Sequence, residues 1–334
     1  MRFSVHLPTA AAGLAHPVPF ATLDDIWQIA HAAERLRFHG VWGNYHVTTQ
    51  AYVRELWAQP PDYFDTTIVL ASIASRTERI ALGTALLLPA FYQLPVLAKL
   101  VATLDRASHG RFRLGVGIGA YREEFEKLWP HLAGVNRGLW LDESLAGLRT
   151  LLDTGRGSFD GRYVKFGEIE SFPRPVQDPL PIYVGGHNLQ AIERAARWGQ
   201  GWLPGWQPLP EMARRIQLLH EQLAANGRPP DAVEVAPQLS VTIDDTDAGA
   251  EQRYWQSGLV QHRMSLSYTR RDLSQQVSAN LIGTPATIRQ KIADLAGIGV
   301  DHCCALWFST ATVAEMLEQM EWFSAEVIDR QEET

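Results

Sequence analysis

Cysteine is nearly missing from this sequence of 334 residues: there are two, and they are neighbours, Cys303 and Cys304. Adjacent residues of an extended segment point to opposite faces, so a disulfide or a two-ligand metal site is not expected from them. Their scarcity fits a reducing compartment. No stretch approaches the ~18 uninterrupted apolar residues of a membrane helix. The first residues, Met1-Arg2-Phe3-Ser4-Val5, lack the apolar core of a secretory signal. A soluble, cytoplasmic protein is therefore expected. The net charge is -7, from 30 basic and 37 acidic residues with no run of one sign, so neither nucleic acid nor an anionic membrane is an expected partner. No H-x-x-x-H pair or Cys/His cluster has ligand spacing, and no metal is expected. There is no G-x-S-x-G elbow of a hydrolase and no Gly-Lys-Ser/Thr of a P-loop.

What is present is an alternation of short apolar runs with amphipathic stretches. With 46% hydrophobic residues, the chain can fill the core of a large domain. The runs at 3–7, 40–42, 80–88, 112–116, 182–184, 202–203, 233–242 and 303–308 read as strands. Helices are predicted at 22–36, 66–75, 94–108, 142–152, 189–198, 211–225, 284–298 and 313–328. Thr22 or Asp24 caps the first, and Thr284-Pro285 opens the seventh by the N-cap and N1-proline rule. Eight βα units imply a parallel sheet with right-handed crossovers. The expected fold is thus α/β, a (β/α)8 TIM barrel over residues 1–334 as a single domain; an open doubly wound sheet is the alternative. Insertions fall after strands two, four and seven, on the C-terminal rim where barrel enzymes keep their sites, and one more separates the fourth helix from the fifth strand. The longest, 244–280, is expected to cover a pocket or to order with ligand.

Three constellations lie at strand ends. Gly115-Val116-Gly117-Ile118-Gly119-Ala120 matches the dinucleotide pattern G-x-G-x-x-G/A, but it comes fourth in the series and is followed by Trp129-Pro130, not by the rest of a Rossmann unit. Its glycines suit close backbone approach to a flat ring or a phosphate. Gly185-Gly186-His187-Asn188 runs into a helix starting near Leu189 or Gln190. That start is either an anion site, through its exposed N–H groups and dipole, or a plain βα turn. His46 stands just past the second strand, in Gly43-Asn44-Tyr45-His46, placed for proton transfer near neutral pH; a structural role is equally open on position alone. His6 and His302 lie within strands and read as satisfied core histidines.

Taken in order, these segments resemble the luciferase-like monooxygenase superfamily, (β/α)8 enzymes that use flavin mononucleotide (FMN) or the deazaflavin coenzyme F420. The similarity runs through Gly40-Val41-Trp42 with Tyr45-His46, Arg79 to Thr84, Ser108-His109-Gly110-Arg111-Phe112, Leu114 to Gly119, Pro181 to Gly186, Gly199 to Trp202 and Gly283-Thr284-Pro285. The resemblance implies a proton-handling role for His46 beside the ring, with Tyr45 as its neighbour. It implies a non-proline cis peptide at Ala85-Leu86 pressing on the ring, with Gly117, Ile118 and Gly119 flanking the cofactor. Gly185, Gly186, His187, Asn188 and Leu189 would hold the phosphate. Three residues depart from the pattern. Tyr45 replaces an acid common in deazaflavin enzymes, Ile118 an arginine of the luciferase alpha chain, and Ala120 a glutamate of the sugar-phosphate dehydrogenases. The implied activity is F420-dependent hydride transfer to or from a small organic substrate. The alternatives are a reduced-FMN monooxygenase and a non-catalytic flavin-binding barrel. A homodimer is the assembly that the resemblance implies.

Overall fold

Val5 and Leu7 of the first strand, Arg2–Leu7, are fully buried. They pack with Ile26, Ile29 and Ala33 of the helix Leu23–Arg35 in one core cluster. In that helix Thr22 and Asp25 close a reciprocal capping box, so Thr22 and not Asp24 is the cap. The same unit repeats around the molecule. In this computed structural model, which describes residues 1–132, 134–265 and 272–331, the first five barrel strands in chain order are Arg2–Leu7, Gly40–Gly43, Ala81–Thr84, Phe112–Val116 and Ile182–Gly185. Gly201–Leu203 is the sixth, Glu234–Val235 with Gln238–Ile243 makes the seventh, and His302–Phe308 is the eighth. All pair in parallel, and the eighth pairs with both the first and the seventh. A bridge from Gly205 to Gln238, with the Gln238 N–H donating to the Pro204 carbonyl, carries the sixth strand's pairing along the seventh and closes the ring.

Several expected boundaries move for identifiable reasons. The apolar run 80–88 is a strand only over Ala81–Thr84. A cis peptide at Ala85–Leu86 then breaks the ladder, and Leu87 rejoins it through a bridge to Val116. The run stays apolar because its remainder lines a cavity and the core. The seventh strand is interrupted at Ala236-Pro237, where proline has no N–H for the ladder; its carbonyl instead accepts from Cys304. Leu281–Gly283 is a further parallel strand beside Gln238–Ile243 that its brevity hid. The insertion before the fifth strand holds an antiparallel hairpin, Arg156–Asp160 with Lys165–Glu170. The helix expected at 142–152 starts at Arg137, capped by Asn136. The last helix is α only over Val313–Phe323 and continues as a π turn, Ser324–Ile328.

The eighth strand carries a bulge: Phe3 faces Cys303 but Val5 faces Leu306, and Ala305 has φ 47°. Such an extra residue re-aims the side chains beyond it. Cys303 lies in the layer between sheet and helices, Cys304 in the barrel interior, and both thiols are free. The interior holds Trp42, Tyr183 and Leu203 above a polar group in which His302 bonds Ser4 Oγ and Glu234, each at 2.7 Å. No helix among the described residues is long and apolar enough to cross a membrane.

Candidate functional site

The C-terminal ends of the strands surround a cavity of about 530 Å³. Tyr45, His46, Ala85, Leu86, Gly117, Ile118, Gly119, Gly185, Gly186, His187 and Asn188 all line it. Leu189 does not: it opens the helix Leu189–Trp198 and is 44% exposed, its side chain turned from the site. A wider depression of about 720 Å³ over Arg106 and residues 172–178 contains none of the predicted positions.

One wall is backbone against a single leucine. A Cβ at Gly185 would fall 2.1 Å, and one at Gly117 2.6 Å, from Cδ1 of Leu86. Both positions must therefore stay bare for Leu86 to sit where its cis peptide puts it. Gly119 has φ +82°, and the Arg137 guanidinium holds this turn by donating to the carbonyls of Ile118 and Gly119, each at 3.1 Å. Thus, although Ile118 is not an arginine, an arginine reaches the same rim from the start of the helix Arg137–Thr154. On the neighbouring side, Trp202 Nε1 donates to the Gly186 carbonyl at 2.7 Å. Asn188 caps its helix by accepting from the Ala191 amide at 2.9 Å, which brings the positive end of the helix dipole to the cavity.

His46 is held by a residue that sequence reasoning missed. Its Nδ1 lies 3.0 Å from Oε2 of Glu124, whose other oxygen accepts from the Val47 amide at 2.6 Å. The Glu124 side chain is 2% exposed. Gln50 Nε2 also lies 3.0 Å from the same Nδ1, and Tyr63 donates to the Gln50 oxygen at 2.9 Å. A carboxylate is the stronger partner, so Nδ1 carries the proton and Nε2 is left as the acceptor nitrogen. A carboxylate thus reaches His46 from the segment that follows the fourth strand. Tyr45 itself donates to Asp65 at 3.3 Å. Glu124 lies in the first turn of the helix Arg122–Leu128, where the dipole favours acids in any case, so its residue type carries no signal of this role.

The 244–280 insertion covers the cavity, as expected of it. Its helix Gly258–Ser265 contributes His262 and Arg263 to the lining, while residues 266–271 lie outside the described residues. Tyr121 lies 3.1 Å from His262 Nδ1 and 3.0 Å from Ser265 Oγ, tying the fourth strand's loop to this cover. Trp307 of the eighth strand completes the lining. His302 has both ring nitrogens satisfied. His6 departs from that expectation: its Nε2 is buried with no hydrogen-bond partner.

The family model described as luciferase-like monooxygenase matches residues 1–302. The chain belongs to the luciferase-like monooxygenase family. An uncharacterized protein of Mycobacterium tuberculosis is 33% identical over 227 residues, 66% of this chain and 75% of that protein. The F420-dependent glucose-6-phosphate dehydrogenase of Nakamurella multipartita is 30% identical over 193 residues, 56% of each chain. Among solved structures, the monooxygenase RslO1 from Streptomyces bottropensis superposes with a TM-score of 0.82 at 22% identity, covering 99% of this chain and 100% of that one. An F420-dependent secondary alcohol dehydrogenase gives 0.78 at 16% identity, covering 98% of both. These likenesses establish the (β/α)8 barrel fold for a chain of this family.

Proposed function

We propose that this chain is a flavin-type oxidoreductase, with coenzyme F420 favoured over FMN, that moves a hydride to or from a small organic substrate. The observation that carries this reading is the buried Glu124–His46 pair in a cavity that is also lined by Leu86 packed on the bare backbone of Gly117 and Gly185. The lining fits such a group. Ala85, Leu86, Leu88 and Ile118 offer an apolar wall for a flat ring, and the glycines keep that wall thin. The N-terminus of the helix Leu189–Trp198, with Gly186, His187 and Asn188, suits a phosphate, and Arg137 adds a cation on that rim.

The cofactor, when bound, supplies the hydride chemistry. The protein supplies position and proton transfer. Glu124 fixes the ring of His46 and its tautomer, so that Nε2 takes a proton from, or returns one to, the reacting oxygen or nitrogen of a substrate. His262, Arg263 and Tyr121 line the same space from the side of the 244–280 insertion and the fourth strand's loop.

F420 is favoured because a relative 30% identical over 193 residues is named for that coenzyme. A reduced-FMN monooxygenase is the second reading, favoured by the family's own description. Equilibrium titration of the purified chain with F420 and with FMN, each oxidised and reduced, separates the two. Tight binding of F420 is expected, and tight binding of FMN alone would refute the leading reading.

A further inference from the structure

Arg263 is buried, 8% exposed, yet its Nε has no hydrogen-bond partner among the described residues. Its guanidinium lies 3.5 Å from Ser240 Oγ, the outer limit of a hydrogen bond, and meets the neutral phenol of Tyr254 as a hydrogen-bond partner. No carboxylate among the described residues forms an ion pair with it; the groups that favour its charge are the phenols of Tyr254 and Tyr121. A guanidinium stays protonated in proteins, and a buried charge without a counter-charge is costly. Beside it, His6 presents a second orphaned nitrogen and stacks on Trp307 at 3.3 Å. Burial, then the neighbouring His16, holds His6 well below its usual value, so it is a neutral ring and adds no charge. The cluster therefore contributes one cation, aimed at a cavity that it lines.

The barrel's order separates this cluster from the groups assigned to the cofactor. Ala85-Leu86, Gly117 to Gly119 and Gly185 to Asn188 follow strands three, four and five. Arg263 follows strand seven, Trp307 is on strand eight and His6 on strand one, the other arc of the same ring, with His46 after strand two between them. We propose that Arg263 is the anion-binding residue of the substrate subsite and that the substrate is a small organic acid whose carboxylate pairs with it. One fork-shaped cation balances the single charge of a carboxylate and matches its plane with two parallel N–H donors. The assignment to substrate rather than cofactor rests on the function proposed above; the anion site itself does not.

The test titrates benzoate and its neutral counterpart benzamide into the wild-type chain, Arg263→Met and Arg263→Lys. Calorimetry and thermal shift are read out, alongside F420 and FMN titrations of the same proteins. Wild type is expected to favour benzoate over benzamide by about tenfold or more, and Arg263→Met to lose that preference while Arg263→Lys keeps part of it. Arg263→Met should fold at least as stably as wild type, since methionine leaves no unpaired charge, and should bind cofactor as wild type does. Should it fail to fold, the wild-type preference and Arg263→Lys decide. The proposal is overturned if wild type does not distinguish the two probes or if Arg263→Met binds benzoate unchanged. It is also overturned if benzoate displaces the cofactor competitively, which would place Arg263 in the cofactor's own site. If neither cofactor binds while benzoate still requires Arg263, the cofactor reading falls and the anion site stands.

Discussion

Replacing Glu124 by glutamine should flip the tautomer of His46. In the wild-type site two groups compete for Nδ1: the Glu124 carboxylate, which accepts, and the Gln50 amide, which donates, both at 3.0 Å. A hydrogen bond to a charged group contributes about 1.5–3 kcal/mol against about 1 for a neutral one, so the Nδ1–H form is favoured by roughly tenfold. In Glu124→Gln the amide oxygen is retained by the backbone N–H groups of Val47 and Thr48, which the carboxylate now serves. The new NH₂ then faces His46. Two donors, Gln50 and Gln at 124, point at Nδ1, which becomes the acceptor, and Nε2 takes the proton. The proton-accepting nitrogen is thereby lost without removing the ring. Long-range ¹H–¹⁵N correlation spectra of ¹⁵N-histidine protein report the tautomer directly, with His46→Gln assigning the signal, at a pH where the ring is neutral. The same tautomer in wild type and variant would refute the reasoning. So would a full effect of Glu124→Gln on turnover in a His46→Ala background, because the glutamate acts through the histidine.

Three further outcomes are expected. His46→Ala should lower the chemical rate by about 10²–10⁴ while cofactor affinity is kept; unchanged turnover would remove the histidine from the mechanism. Gly185→Ala places a Cβ 2.1 Å from Leu86 Cδ1, so it should cost about 1–3 kcal/mol in thermal unfolding and weaken cofactor binding. Gly167→Ala, with nothing within 4 Å of the added Cβ, serves as the neutral control. His16 is held by burial at about 4, against 6.5 in the unfolded chain. Between those values the unfolded chain binds a proton that the folded chain does not, so stability present above pH 6.5 is lost as pH falls toward 4. The loss corresponds to about 3 kcal/mol. His16→Gln should make the fall in unfolding temperature over that window shallower, the rest of it belonging to His6 and His39, which burial also lowers. An unaltered slope would show that His16 contributes nothing to the acid sensitivity.

The sequence by itself determined the order of strands and helices, because apolar period, N-caps such as Thr22 and Thr284, and glycines at strand ends are local properties. It also placed His46 and the glycine loops at the C-terminal rim, since parallel βα units leave every strand's end on one side, while Ala85-Leu86 came to the site only through the resemblance. Tertiary structure alone decided which groups meet there. Glu124 stands 78 residues from His46 and Arg137 18 residues from Gly119, separations that carry no local signal. The resemblance marked Tyr45 and Ile118 as positions lacking an acid and an arginine, and only the closed ring shows both side-chain types arriving from other elements. Arg263 belongs to the same class. Its residue type was visible in a polar insertion, but the absence of a counter-charge is a property of its surroundings, and burial is decided only when the helix Gly258–Ser265 docks on the barrel.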